Sequence, residues 1–168
     1  MIDVLDKCSL DIHSVLPNSI EHIKKIIQDE QFIPNFITFV KKDKNEHSID
    51  GRIVTFFQDK LHLVFENNQK LITKRPDFTN SWCIMDYKYS KNFSNESEKK
   101  YMETTAKIYR NEYIKKRGHV PERFFIVSDK VIHEYEFDIE KNMYKLPPKE
   151  KIFNEDSFAG LCYMLMNH

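Results

Sequence analysis

The sequence predicts an α/β domain with a mixed central β-sheet flanked by helices. Along the chain, the predicted segments run in the order helix, several strands, helix, strands and helix. Apolar residues make up 40% of the chain and charged residues 31%, which is typical of a globular protein with a charged surface. The length of 168 residues suits one domain with a substantial core, so residues 1–168 are expected to form a single domain.

The first predicted helix covers residues 18–30. Asn18 or Ser19 can cap its amino end, because either side chain can accept a hydrogen bond from the first turn. Isoleucines then recur at helical spacing at positions 20, 23 and 27, and Pro34 is expected to close the segment.

The next part of the chain predicts three strands. Residues 35–41, 52–57 and 61–66 are rich in β-branched and aromatic residues, which favour strands. A short turn at 58–60 would join the last two, and the polar segment 41–48 predicts a solvated loop.

Residues 82–89, WCIMDYKY, predict a further strand after a turn at Thr79-Asn80-Ser81. Side chains of a strand alternate between its two faces. One face is therefore expected to carry Trp82, Ile84, Asp86 and Lys88, and the other Cys83, Met85, Tyr87 and Tyr89.

The carboxyl-terminal half predicts two helices around two strands. A polar loop at 91–97 would end in a Ser97 cap. The predicted elements that follow are the longest helix over 98–117, ended by Gly118, strands over 123–128 and 131–138, a break at Pro147-Pro148 and a closing helix over 157–166.

Composition excludes several classes of protein. Lys and Arg together number 26, as do Asp and Glu, so bulk positive charge does not attract nucleic acid, although a local basic groove remains open. The chain has three glycines and no glycine-rich phosphate-binding motif. Its three cysteines are far apart, which argues against a zinc knuckle or a disulfide framework.

The same features predict the compartment. Unpaired cysteines suit a reducing interior. Charged residues near the start argue against a signal peptide, and no apolar run approaches the length of a membrane span. We therefore expect an intracellular, cytoplasmic protein with no membrane partner.

Two acids and a lysine interrupt an otherwise apolar region. Asp77 precedes the predicted turn, and Asp86 and Lys88 lie about 7 Å apart on the strand that follows it. A hairpin here would bring the two carboxylates together, where they repel each other and are costly to desolvate. A divalent cation such as Mg²⁺ relieves this repulsion, and it binds to carboxylates, waters and substrate phosphate.

This pattern resembles the PD-(D/E)xK nuclease superfamily. Pro76-Asp77 and Asp86-Tyr87-Lys88 match its motif, and helices before and after the hairpin match its order of elements. The stretch IMDYKYSKNFSNES is also similar to the D-Y-K segment of bunyavirus-type cap-snatching endonuclease domains. The resemblance implies a restriction-endonuclease-like fold that binds Mg²⁺ or Mn²⁺.

The resemblance also implies roles for individual residues. Asp77, Asp86 and the Tyr87 carbonyl would bind the metal, and Lys88 would act as catalytic base or orient the attacking water. Members of the family often add an acid from the first helix. Glu21 is the best match here, while His22 and Glu30 remain alternatives.

The helix over 98–117 could contact the nucleic-acid backbone, because it carries many Lys and Arg side chains. Lys107 and Arg110 lie one turn apart and are the expected phosphate contacts; the alternative is a solvated face paired with glutamates. The three tyrosines of this helix, at 101, 109 and 113, are expected in the core rather than against bases.

The predicted function is a metal-dependent nuclease, in particular an endonuclease, which hydrolyses phosphodiester bonds in DNA or RNA. The alternatives are a catalytically inactive module of the same fold that binds nucleic acid or protein, and a structural domain in which the motif arises by accident.

Overall fold

The structure of the protein is a computed structural model, which describes residues 19–42, 53, 55–63 and 76–167. A six-stranded mixed sheet forms its centre, in the order β1-β2-β3-β4-β5, and β6 also pairs with β4. The strands are β1 Phe78–Thr79, β2 Cys83–Lys88, β3 Arg123–Ser128, β4 Val131–Asp138, β5 Met143–Tyr144 and β6 Lys149–Ile152.

Helices flank this sheet, so the predicted α/β class with a mixed sheet is confirmed. They are α1 Ile20–Asp29, α2 Phe32–Lys42, a π-helix Phe56–Lys60, a 3₁₀ turn Ser90–Asn92, α3 Asn95–Glu103, α4 Thr105–Arg117 and α5 Glu155–Met166. Strands β2 and β3 are parallel neighbours, and α3 and α4 form the crossover that such a pair requires.

The two faces of the sheet bury different sets of side chains. Helices α1, α2 and α5 and the π-helix cover one face, and we call this the larger core. Helices α3 and α4 cover the other face, and we call this the smaller core. The strands supply Cys83, Met85, Phe125, Val127 and Ile132 to the larger core, and Ile84, Phe124, Ile126, Tyr135 and Phe137 to the smaller one.

Strand register aligns four residues in one row across the sheet. Asp86 is paired with Ile126, Ile126 with His133, and His133 with Glu150. Directly paired residues point to the same face, so this row lies on the side that α3 and α4 cover.

The strand predicted over 35–41 is wrong, because these residues belong to helix α2. Their β-branched and aromatic side chains favour a strand, but Phe32, Phe36 and Val40 recur at helical spacing and are buried together. Pro34 does not close the preceding segment. It lies in the first turn of α2, where its missing N–H costs no hydrogen bond.

The strands predicted over 52–57 and 61–66 are also wrong where the structure describes them. The π-helix Phe56–Lys60 occupies the segment that includes the predicted turn, and Leu61 ends it. Burial of Phe56, Phe57 and Leu61 in the larger core outweighs their preference for strands. Residues 52, 54 and 64–66 lie outside the described residues, as do 43–48 of the predicted loop and Asn18 of the first helix.

The helix predicted over 98–117 is divided at Thr104 into α3 and α4. The Thr104 hydroxyl donates to the Lys100 carbonyl at 2.7 Å, a local bond that bends helices. The amino-terminal cap is Ser94 rather than Ser97, and its hydroxyl accepts a hydrogen bond from the Ser97 N–H. Gly118 ends α4 in the left-handed conformation, as predicted.

The remaining predicted elements are confirmed. Strands β3 and β4 have the predicted bounds, and the break at Pro147-Pro148 falls between β5 and β6. Among the residues that the structure describes, no helix has both the length and the apolar composition needed to cross a membrane.

Candidate active site

The hairpin that carries the candidate site is formed as predicted. Strands β1 and β2 are antiparallel, with Phe78 opposite Met85 and Thr79 opposite Ile84. Asn80 shapes the turn, because its Oδ1 accepts hydrogen bonds from the N–H groups of Trp82 at 3.0 Å and Cys83 at 2.9 Å.

The hairpin brings Asp77 and Asp86 together. The Asp77 N–H donates to Asp86 Oδ1 at 3.2 Å, which makes the two acids direct neighbours. The Tyr87 N–H donates to Asp77 Oδ2 at 2.8 Å. Burial raises the pKa of Asp77 well above its ordinary value of 3.8, and the charge of Asp86 raises it further. Asp77 therefore keeps its proton to a higher pH than an exposed aspartic acid does.

Lys88 completes this group. Its Nζ lies 3.4 Å from Asp86 Oδ2 and 4.5 Å from the centre of the Tyr101 ring. Asp86, Lys88 and Ile84 share one face of β2, as predicted, and point toward α3. Trp82 does not share this face, because it precedes β2 and packs with Phe125 in the larger core.

The Asp86 carboxylate is buried and fully engaged. Only 5% of Asp86 is exposed, and the Tyr101 hydroxyl of α3 donates to its Oδ2 at 2.5 Å. Burial raises the pKa of Tyr101 well above 10.0, and the charge of Asp86 raises it further, so the hydroxyl keeps its proton and donates. Asp86 and Lys88 are therefore not an exposed surface pair, since β2 lies between β1 and β3.

The donor set suits a hard divalent cation in type. Two neighbouring carboxylates offer oxygen ligands, and a cation would relieve their repulsion. The hydrogen bond from the Tyr101 hydroxyl to Asp86 Oδ2 would have to break before this oxygen could coordinate a metal ion without competition. Tyr87, whose carbonyl is the further expected ligand, has its ring 5.2 Å from that of Phe36 in the larger core.

The expected ligand Glu21 is not brought to this pair. Helix α1 packs on the face of the sheet opposite to the one toward which Asp86 points, so the sheet separates them. Glu21 is exposed, and within the described residues no three His, Cys, Asp or Glu side chains converge as metal ligands would. Of the alternatives, Glu30 pairs with Lys60 at 3.4 Å, and His22 lies on the same helix as Glu21.

A second polar cluster on this face is not predicted by the sequence. His133 Nδ1 lies 2.7 Å from Glu98 Oε2, and His133 Nε2 lies 2.7 Å from Glu150 Oε1. The Tyr135 hydroxyl also donates to Glu98 Oε2. The alternation in β4 places His133 on the same face as Tyr135 and Phe137, and this was the available signal that it is buried.

The expected phosphate contacts lie in a cleft beside this cluster. The cleft has a volume of about 720 Å³, and both Lys107 and Arg110 line it. Lys107 is exposed, whereas Arg110 is only 8% exposed and stacks over Phe137 and Tyr144. The tyrosines at 101, 109 and 113 are buried, which confirms that they belong to the core.

Comparison with known proteins gives no match: no family model fits the chain, and no curated sequence or solved structure is similar to it.

Proposed function

We propose that this chain is a divalent-metal-dependent endonuclease, which hydrolyses phosphodiester bonds in DNA or RNA. The observation that carries the proposal is the hydrogen bond from the Asp77 N–H to the Asp86 carboxylate, which places the two acids side by side next to the Lys88 ammonium. We further infer a restriction-endonuclease-like fold. Helix α1 before the hairpin and helix α3 after it support that inference.

The proposed roles follow from the positions of the three side chains. Asp77 and Asp86 would hold Mg²⁺ or Mn²⁺ through their carboxylate oxygens. The bound ion supplies stabilisation of the developing phosphate charge and a lower pKa for the attacking water. Lys88, whose Nζ lies 3.4 Å from Asp86 Oδ2, would orient that water or neutralise charge on the phosphate.

A catalytically inactive module of the same fold, which binds nucleic acid or a protein, is the second candidate. The burial of Asp86 favours it, because both oxygens of this carboxylate already accept hydrogen bonds, from the Asp77 N–H and the Tyr101 hydroxyl. In that case the acids stabilise the hairpin and take no part in chemistry.

Cleavage assays test the proposal directly. Purified protein with Mn²⁺ is expected to cut at least one of single-stranded RNA, single-stranded DNA and duplex. Asp86→Asn and Lys88→Met should each lower the single-turnover rate by about 10²-fold or more, the scale of a lost ligand or charge stabiliser. Lys25→Met is the matched control, because Lys25 forms an exposed pair with Asp29 at 3.8 Å on α1.

The change in melting temperature on addition of Mn²⁺ distinguishes the metal-binding role of Asp86 from the catalytic role of Lys88. The shift should persist in Lys88→Met, which keeps both acids, and should disappear in Asp86→Asn. A Lys88→Met protein that cuts at the parental rate would remove Lys88 from the chemistry. Binding of nucleic acid by the parent without any cleavage would replace the enzyme with the inactive module.

A further inference from the structure

The cleft of about 720 Å³ lies between helices α3 and α4 and the β4–β6 side of the sheet. Its volume is within the range of roughly 300–1,000 Å³ that small-molecule sites occupy. Asp77, Asp86 and Lys88 do not line it, so it is a separate site from the candidate active site.

Arg110 is the residue of this cleft that indicates an anion-binding site. It is 8% exposed, and its guanidinium lies 5.3 Å from the centre of the Phe137 ring and 5.9 Å from that of Tyr144. Among the residues that the structure describes, no carboxylate pairs with this guanidinium and no acceptor takes a hydrogen bond from it. None of its nitrogens is among the fully buried side-chain atoms that lack a partner, so the guanidinium is open to the cleft, where an anion would form charge-assisted hydrogen bonds with it.

A second positive charge lies at the Arg110 end of the cleft. Lys107 lies one turn before Arg110 on α4, is exposed, and has no carboxylate partner among the described residues. By contrast, Glu98 and Glu150 are both bonded to His133. Glu103 also lines the cleft and is exposed. The cations near Arg110 are therefore available to a ligand with two negative charges, such as a phosphate.

The opposite end of the cleft offers hydrogen-bond acceptors. Glu98 uses Oε2 for both of its bonds and Glu150 uses Oε1, so the second oxygen of each accepts from no described residue. His133 and Phe137 are four residues apart on β4, which separates this end from Arg110 by about 13 Å. The apolar lining of the cleft includes Met102, Met143 and Leu146.

We propose that this cleft binds a nucleoside monophosphate, either free or as the terminal residue of a strand. The phosphate contacts Arg110 and Lys107, the flat base packs on the apolar lining, and donor groups of the base or sugar reach Glu98 and Glu150. Such a ligand combines a dianion, a flat body and distant hydrogen-bond donors in one molecule. The proposal does not depend on hydrolysis at Asp86.

Calorimetric titration tests whether both halves of the ligand are needed. AMP or UMP is expected to bind at least about 10-fold more tightly than adenosine or inorganic phosphate, because each of these lacks one group of contacts. Absence of binding by both mononucleotides overturns the proposal. Equal binding of hippurate, a flat molecule with a carboxylate, overturns the assignment of a phosphate.

Two variants locate the site. Arg110→Met keeps the apolar stem over the rings and should weaken AMP binding by about 10- to 100-fold, and Lys107→Gln by about 3- to 10-fold. Lys115→Gln is the control, because Lys115 is an exposed lysine of α4 outside the cleft. If circular dichroism shows that Arg110→Met is unfolded, the AMP affinity of Lys107→Gln becomes the test of the proposal. Parental affinity in Lys107→Gln then overturns the proposal.

A 5′-phosphorylated trinucleotide, titrated in EDTA so that no metal-dependent cleavage occurs, distinguishes the two sources. Displacement of AMP by this trinucleotide supports binding of a strand end. Failure to displace AMP supports a free nucleotide. Asp86→Asn should bind AMP as the parent does, so a failed nuclease assay and a failed cleft are separable results.

Discussion

The Tyr101 hydroxyl and the Lys88 ammonium both contact Oδ2 of Asp86, and this shared oxygen is central to the candidate site. The hydroxyl satisfies a carboxylate that is 5% exposed, so it stabilises the fold without metal. A cation bound between Asp77 and Asp86 would compete with the hydroxyl for this oxygen. Stability and metal binding are therefore expected to respond oppositely to the loss of the hydroxyl.

Tyr101→Phe tests this opposition. Without metal, the free energy of unfolding should fall by about 1.5–3 kcal/mol, the value of a hydrogen bond to a charged group. The affinity for Mn²⁺ should rise, because Asp86 Oδ2 loses its competing donor. Urea unfolding in EDTA and titration with Mn²⁺ measure the two effects.

Tyr163→Phe is the matched control, since Tyr163 is 36% exposed and lies outside this cluster. It should change neither quantity. If Tyr101→Phe binds Mn²⁺ no more tightly than the parent does, the hydroxyl is not a competitor for the oxygen.

The acids and the lysine could be predicted from the sequence because they are close along the chain. Asp77, Asp86 and Lys88 belong to one hairpin, and a turn signal fixes its geometry. The bond between His133 and Glu98 joins residues 35 positions apart, and no local pattern indicates it. Glu21 was assigned from the family resemblance, which does not specify the face of this sheet that the first helix covers.

At the scale of elements, strands were predicted correctly where a short apolar run or an alternating run is bounded by turn residues. Strand β3 is a continuous apolar run, β4 alternates, and a turn at residues 129 and 130 lies between them. Helix α2 and the π-helix were missed because their phenylalanines favour strands, while their stability as helices comes from packing in the larger core. Propensity is a weak guide where tertiary burial is this extensive.

Two glycines should respond in opposite directions to the same substitution. Gly118 ends α4 with a φ of 82°, a conformation that alanine adopts only with strain. Gly160 lies inside α5, where alanine is the better helix former. A Cβ atom at either position would meet nothing within 4 Å, so packing does not obscure the comparison.

Gly118→Ala should therefore lower the free energy of unfolding by about 1 kcal/mol, and Gly160→Ala should raise it by up to about 1 kcal/mol. Gly118→Asn should cost less than Gly118→Ala, because asparagine tolerates the left-handed region better. Urea denaturation of the three variants measures these changes. Equal effects of alanine at both positions would contradict the assigned conformations.

At the scale of the whole molecule, helix α3 connects the candidate active site with the cleft. It presents Tyr101 to Asp86 on β2 and Glu98 to His133 on β4. Asp86 and His133 lie in one row of the sheet, two strands apart, which is about 10 Å. A change in the charge of His133 therefore acts on the same helix that covers Asp86.

The pH dependence of stability should reflect His133. Burial lowers its pKa, but hydrogen bonds to Glu150 and Glu98 and the charges of these acids raise it, and the net pKa lies above the ordinary 6.5. The Tyr135 hydroxyl also donates to Glu98, and its own pKa is raised above 10.0, so it stays protonated. Lys99 and Lys107 are the other side chains of this cleft, besides Arg110, that carry positive charge.

Because the pKa of His133 is raised in the folded state, the direction in which its contribution to stability changes with pH is determined. Protonated His133 contributes its full stabilisation below the unfolded pKa of 6.5, and the contribution is lost as the pH rises through the folded pKa. The difference in unfolding free energy between the parent and His133→Gln should therefore be larger at about pH 6 than at about pH 9. Urea unfolding at both pH values measures the difference. A difference that is independent of pH would mean that His133 does not bridge Glu98 and Glu150 as a charged ring.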